Sequence, residues 1–301
     1  MERADRVALL GAPQSPLLMA VAEALEERGV RAEILDLFAP LAGRPVTLRA
    51  GRRVTWEGVD LVPGCRAALV EQPTFPWPQV QDLAGVLEAG VPRGDLVRAE
   101  REGRALLASA VRILGEEMPV VNPPPAVHLA VAPALALARV EAAGLPVASW
   151  SVGPVSGTGD GLLLLDVAGR DAWHHPGPPP PGEPGLHVRW SGTAAWVHLV
   201  VGNRVAVAYR QARALPAPDP EGGEQATPGS EEEGLAVAAA RTLGLPLAAV
   251  VMDPRPVPRI LFVEAAPDLA AWWRVGGDLL AGAVAGLLDG YARGLRVEER
   301  K

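Results

Sequence analysis

Lysine is almost missing from this chain. Of the 28 lysines and arginines in 301 residues, only the last residue, Lys301, is a lysine. Chemistry that needs an internal ammonium is thereby excluded: a Schiff-base lysine, the lysine of a GxxxxGK[ST] phosphate loop, and a kinase-type phosphate lysine. Codon bias is the plain origin, since Ala, Gly, Pro, Val and Arg are all abundant, giving a thermophile-like composition. Cysteine is as scarce. Cys65 stands alone, so the chain forms no internal disulfide and no cysteine-based metal cluster, and the residue is read as a buried apolar group in a reducing, cytoplasmic setting. Phe and Tyr are few, 3 and 2, beside 8 Trp, a skew for which we have no physical account. A concentrated basic face is also lacking. With a formal charge of −7 and both signs interspersed, nucleic acid and anionic membranes are not expected partners. No apolar run is long enough to span a bilayer, and the charged start at residues 1–6 does not read as a signal peptide.

What is present reads as alternating strands and helices, with a length that favours two domains. Residues 6–10 form an apolar strand. Ser15-Pro16 then supplies a helix cap followed by proline at the first helical position, and the helix runs to Arg28 and stops at Gly29. With a second strand at 31–37 this is a β-α-β unit, which predicts parallel pairing. Its turn has a single glycine, so it is no dinucleotide fingerprint. Residues 46–48 and 52–56 around Ala50-Gly51 predict a hairpin, and one or two further strands fall within 59–72. An amphipathic helix is expected over 95–114, interrupted near Gly103. A short strand at 118–124 ends in prolines, and a helix from about Ala132, with Pro133 in its first turn, ends at Gly144. Residues 147–166 are strand-like around a glycine-rich loop, and 176–185 is too rich in proline for regular structure. Strands are expected at 186–190, 196–201 and 204–210, and a long polar loop at 214–230. Glu231-Glu232-Glu233 opens a helix to Leu243, where the acidic run complements the dipole. Strands at 247–252 and 260–264 and a closing helix over 268–291 complete the chain.

Several phrases in this order resemble the ATP-grasp superfamily, most of all its branch of glutamate-adding and lysine-biosynthesis (RimK-like) carboxylate-amine ligases. Pro119-Val120-Val121-Asn122-Pro123-Pro124 resembles the family's P-V-V-N-x-P, and Ala142-Ala143-Gly144-Leu145-Pro146 its A-x-A-G-[IL]-P. Residues 200–210 resemble V-V-G-x-R-V-x-A-A-x-R, ending at Arg210. Residues 238–253 resemble A-A-x-x-L-G-L-x-x-A-G-V-D, and Leu261-Phe262-Val263-Glu264-Ala265-Ala266-Pro267 stands for L-x-V-L-E-V-N-P. The resemblance covers most of 119–290. It implies an α/β chain with a Rossmann-like (pre-ATP-grasp) domain over 1–118, then an ATP-grasp-like α+β domain over 119–301 with a reduced lid at about 147–190. It further implies that such proteins bind ATP and magnesium, form an acyl phosphate on a carboxylate, and pass it to an amine.

That chemistry requires cations on the phosphates and carboxylates on magnesium. At the two places where the family has lysine, this chain has Pro133 and Gly153. The glycine-rich loop survives as Gly157, Thr158 and Gly159, candidate phosphate contacts, although such a loop alone reads first as a plain turn. The missing helix before it predicts a lid cut down to a hairpin. The family's D-x-R pair aligns with Ala195-Trp196-Val197, without either charge, and Trp196 and His198 alternate to one side of their strand. Asp253 and Glu264 remain as candidate magnesium ligands on consecutive strands whose pairing is expected to bring them together, although the usual asparagine is Ala266. Arg210 matches an arginine that faces substrate or phosphate, here expected on an edge strand. His174-His175 with Asp171 lacks a third ligand in reach. Trp272-Trp273 is expected to place one ring in the core and one towards an interface.

The first reading is an ATP-grasp-like protein that has lost ordinary ligase activity, a pseudoenzyme with no catalytic residue and no cofactor, serving as a binding or assembly module for a protein partner or small ligand. The second is an active ATP-dependent carboxylate-amine ligase that uses ATP and magnesium with arginines and backbone amides replacing lysine. The third is a structural homodimer built on the tryptophan-bearing C-terminal helix.

Overall fold

The computed structural model describes residues 6–37, 39, 44–71, 93–154, 162–165, 172–174, 184–190, 192, 194–212, 214, 217–219, 221–254 and 257–295. The chain divides into two compact units. One runs through Pro124 and takes back the chain from Leu288, and the other spans Pro125–Leu287.

The first unit opens with β1 (Arg6–Gly11), α1 (Pro16–Glu26) and β2 (Arg31–Asp36), and β1 and β2 pair in parallel as expected. The Ser15 hydroxyl accepts the Leu18 N–H at 3.4 Å, Pro16 has no N–H to leave unpaired, and Gly29 ends the helix at φ +77°, a conformation that costs glycine nothing. A three-stranded antiparallel sheet follows, of β3 (Val46–Arg49), β4 (Arg53–Trp56) and β5 (Val59–Val62). The chain returns through β6 (Ala67–Val70), and β7 (Val120–Val121) completes a parallel sheet of order β2-β1-β6-β7. Between these last two strands runs α2 (Arg93–Glu117), 25 residues without the break expected near Gly103. A mid-helix glycine costs only about 1 kcal/mol relative to alanine. Here Leu107, Ala110, Val111 and Leu114 bury against Leu10, Leu37, Val54 and Trp56, which outweighs it.

The second unit begins with α3 (Pro124–Val127), a 3-10 turn at His128–Val131, and α4 (Pro133–Ala142), which Pro133 opens and Gly144, at φ +80°, ends. Next come β8 (Trp150–Pro154), β9 (Leu162–Leu165), β10 (Ala172–His174) and β11 (Pro184–Arg189). They form a four-stranded antiparallel sheet of order β10-β9-β11-β8, so the lid segment is larger than the hairpin that the sequence predicts. The helix that is missing before the loop does not set the size of the lid, because Leu162–Leu165 supplies a central strand that two neighbours cover. Proline-rich chain also enters structure at Pro184-Gly185, where β11 starts opposite Gly153 and Pro154.

The remainder is built on a five-stranded antiparallel sheet of order β14-β13-β12-β15-β16. Its strands are β12 (Ala195–Val201), β13 (Arg204–Gln211), β14 (Gly223–Ala226), β15 (Leu247–Asp253) and β16 (Arg259–Glu264). β14 lies inside the expected polar loop. Its Gly-Glu-Gln-Ala sequence carries no apolar alternation, and pairing with β13 alone makes it a strand. Two helices complete this part, α5 (Ser230–Thr242), with Glu231, Glu232 and Glu233 in its first turn, and α6 (Leu269–Ala292), kinked at Gly277. Trp272 is fully buried and Trp273 half-buried.

α6 lies close to β13. A Cβ added at Gly276 would stand 2.6 Å from Val207 Cγ2. Gly276→Ala is therefore expected to destabilise the chain by about 2 kcal/mol, the usual cost of overpacking, read as a lower urea midpoint with an unchanged slope. Equal midpoints would show that the helix shifts without cost. Among the described residues, no helix is long and apolar enough to cross a membrane.

Candidate functional site

The register of the five-stranded sheet fixes where each expected site residue projects, because residues directly opposite across a ladder share a face. Ala195 pairs with Gln211, Val197 with Tyr209 and Leu199 with Val207. On its other side β12 pairs Val197 with Val251 and Leu199 with Ala249. Ala249 pairs in turn with Glu264, and Val251 with Phe262. Ala195, Val197, Val251 and Glu264 therefore lie on one face.

The resemblance drawn from the sequence implies a charged group on this face. Ala195 and Val197 stand for the acid and the base of D-x-R. Counting from Leu243-Gly244-Leu245 through L-G-L-x-x-A-G-V-D puts the aspartate at Val251, two residues before Asp253. Three of the four are apolar and fully buried. Glu264 alone keeps a carboxylate. Burial pushes that carboxyl above its ordinary range, and the bond that opposes the shift is local, the Ala266 N–H donating to Oε1 at 2.8 Å. Thus the residue in place of the family's asparagine holds Glu264 through its backbone.

Asp253 and Glu264 do not meet. β15 and β16 pair as expected, but Asp253 stands opposite Arg259 while Glu264 stands opposite Ala249. Four residues of β15 separate the two places, about 13 Å at ~3.3 Å per residue. Magnesium ligands lie at about 2.1 Å from the ion, so no single ion reaches both carboxylates. Among the described residues, no three His, Cys, Asp or Glu side chains are grouped to hold a metal. His174 is in β10, and His175 and Asp171 lie outside the described residues.

Arg210 points the other way. It pairs with Trp196 on one side and Glu224 on the other, so it leaves the sheet on the face opposite Glu264. Its strand is not at the edge as the sequence predicts, because β14 forms outside it. The exposed guanidinium lines a surface cleft of about 380 Å³ with Gln211, Gly222, Gly223 and Glu224. Gly157, Thr158 and Gly159 lie outside the described residues. The positions expected for lysine have backbone roles: Pro133 starts α4, and Gly153 sits at φ +142° in β8, its carbonyl 2.8 Å from His187 Nε2. A lysine at that φ would be strained.

Two buried polar groups lie outside the site that the sequence predicts. His198 shares the Trp196 face, as alternation predicts, and the rings stack at 5.8 Å with 9° between planes. It is fully buried, neither ring nitrogen has a hydrogen-bond partner, and burial lowers its pKa to about 4. Glu71, which ends the apolar run of β6, is 5% exposed and bonds the chain around Ser15. The only signal for either is a titratable residue set among apolar ones.

No protein-family model and no curated protein matches the chain. Solved structures do. The ATP-grasp ligase PsnB, complexed with a phosphomimetic variant of its minimal precursor, Mg and ADP, superposes with a TM-score of 0.70 at 17% identity, covering 96% of this chain and 99% of PsnB. The macrocyclase MdnC bound with precursor peptide MdnA, from Microcystis aeruginosa MRC, gives 0.69 at 12% identity over 94% and 99%. A RimK domain protein ATP-grasp from Sphaerobacter thermophilus DSM 20745 gives 0.56 at 17% identity over 94% and 98%. This chain has the ATP-grasp fold.

Proposed function

On that fold, we propose that the chain is a binding module for a peptide or protein segment and does not run ATP-dependent ligation. One observation carries this reading: the sheet face expected to hold a charged group presents Ala195, Val197 and Val251 beside a lone Glu264. Apolar side chains neither coordinate magnesium nor neutralise a developing acyl phosphate, so the electrostatic stabilisation on which phosphoryl transfer depends is lost. The absence of internal lysine points the same way and needs no alignment. Support for the binding half comes from the structures of PsnB complexed with a minimal precursor and of MdnC bound with the precursor peptide MdnA. A ligase built on arginine would need guanidinium groups on the Glu264 face, and Arg210 is on the opposite one.

Calorimetric titration with magnesium-ATP tests the reading. The expected result is no heat beyond dilution up to about 1 mM nucleotide, with a thermal midpoint shift under about 1 °C. Micromolar binding that Glu264→Ala abolishes would overturn it. Selection from a displayed library of linear peptides tests the binding half: a consensus whose synthetic peptide binds is expected, and failure to enrich any sequence removes that half alone.

A further inference from the structure

The four-stranded sheet of the second unit ends on β8, which pairs with β11 on one side only. Its sequence, Trp150-Ser151-Val152-Gly153-Pro154, has no charged residue to discourage pairing with another chain. The ladder with β11 fixes which backbone groups are open. The Arg189 N–H donates to the Ser149 carbonyl at 2.8 Å, and bonded positions alternate along an antiparallel pair, so Ser151 and Gly153 turn towards β11. Trp150 and Val152 therefore turn their N–H and C=O outward, and Pro154, which has no N–H, turns out a carbonyl alone. Among the described residues none bonds these outward groups.

The side chains lead to the same edge. Trp150 and Val152 share one face of the sheet, directly opposite Val188 and Leu186. Val188 and Leu186 are fully buried, yet in the same rows Trp150 is half-buried and Val152 is 57% exposed. The indole is held in place, its N–H donating to Glu141 Oε2 at 3.2 Å. The apolar rows thus run off the sheet instead of closing on a polar residue.

We propose that the outer edge of β8 pairs with the same edge of a second copy of this chain, antiparallel about a two-fold axis at Val152. The edge is self-complementary in that arrangement. Val152 stands opposite its own counterpart, and the two residues exchange both N–H···O bonds. Each Trp150 N–H meets the Pro154 carbonyl across the axis, and the missing proline N–H leaves only the Trp150 carbonyl to water. The buried row that ends at Val152 continues into the other copy as Val152 and Leu186, so apolar surface is covered on both sides. An arbitrary extended peptide gains the backbone bonds alone, which favours the second copy as occupant. One strand pair covers less than the ~1,200 Å² of a stable interface, so the dimer is weak, with a dissociation constant of about 50 µM. The pairing is separate from nucleotide and peptide binding and stands or falls independently of them.

Sedimentation of the full chain from about 1 to 300 µM tests the proposal, and a rise from monomer towards dimer mass is expected across that range. Val152→Lys and Val152→Glu each set like charges face to face on the axis, and each is expected to weaken association at least about tenfold. Because Val152 is exposed, thermal midpoints of the dilute variants are expected within about 2 °C of the unmodified chain. Mixed in equal amounts, the two variants are expected to regain the dimer, since the axis then opposes an ammonium to a carboxylate. A monomer at every concentration, association that neither variant weakens, or a mixture no tighter than its components overturns the proposal. A monomeric chain that takes an extended peptide here, lost in Val152→Lys, overturns it as well and assigns the edge to peptide.

Discussion

Trp56→Ala is expected to cost the first unit about 4 kcal/mol, near the upper end for a single core substitution. Trp56 is fully buried in β4, at the centre of a cluster with Leu10, Leu35, Leu37, Val54, Leu61 and Leu107. Its indole N–H donates to the Asp36 carbonyl at 2.9 Å, which ties the small antiparallel sheet to the end of β2. Truncation leaves a large cavity and an acceptor without its donor, and the two penalties add. Because elements of both sheets and α2 share this cluster, relaxation into the cavity would have to move three packed layers. The loss is read from urea unfolding followed by tryptophan fluorescence and far-UV dichroism. Trp56→Phe, which keeps most of the volume but not the N–H, is expected to recover more than half of it. A cost below about 1 kcal/mol for the alanine variant would mean that the cluster collapses around the gap.

The second large effect concerns acid. His198 is buried and neutral, with a folded-state pKa lowered to about 4 from the ordinary 6.5. A histidine depressed in this way binds its proton more readily in the unfolded chain. Stability is therefore full above about pH 6.5, falls as the pH drops from 6.5 towards 4, and is flat in this respect below 4. At ~1.36 kcal/mol per unit, the loss by pH 4 is about 3 kcal/mol. Carboxylates titrate in the same range, so the histidine's share is read as a difference between chains. His198→Leu is expected to remove this part of the acid sensitivity and to raise neutral stability by about 1 kcal/mol, since neither ring nitrogen has a partner to lose. Parallel pH dependences in the two chains would refute this assignment.

Much of the fold was legible because its signals are local. Ser15-Pro16 and Gly29 bracket α1, Ala50-Gly51 turns β3 into β4, and Gly202-Asn203 joins β12 to β13, each through the backbone preference of one or two residues. The failures are non-local. Gly103 reads as a break from its own propensity, and the core that α2 covers overrides it. β14 has no pattern of its own, and β13 is needed to define it. The site shows the same division. Val250-Val251-Met252-Asp253 ends in an acid, which by sequence alone reads as a metal ligand. Spacing from Leu243 through the resembled phrase falls on Val251, and the β15–β16 register sets Asp253 apart from Glu264. Whether two carboxylates on consecutive strands meet depends on a ladder that neither strand's sequence contains.

The segment before β8 has a consequence beyond its own position. The Ala148 N–H donates to the Ile260 carbonyl and the Ile260 N–H to the Pro146 carbonyl, both at 2.9 Å, so Val147 bridges to β16 in parallel. One margin of the five-stranded sheet is thus partly sealed by the chain itself. The other margin is β14, four residues long, with Glu224 and Gln225 exposed. A strand so short and so polar is a poor template for another molecule. The sheet is thereby guarded at both margins against edge-to-edge growth into aggregates, by a covering turn at one side and by brevity and charge at the other.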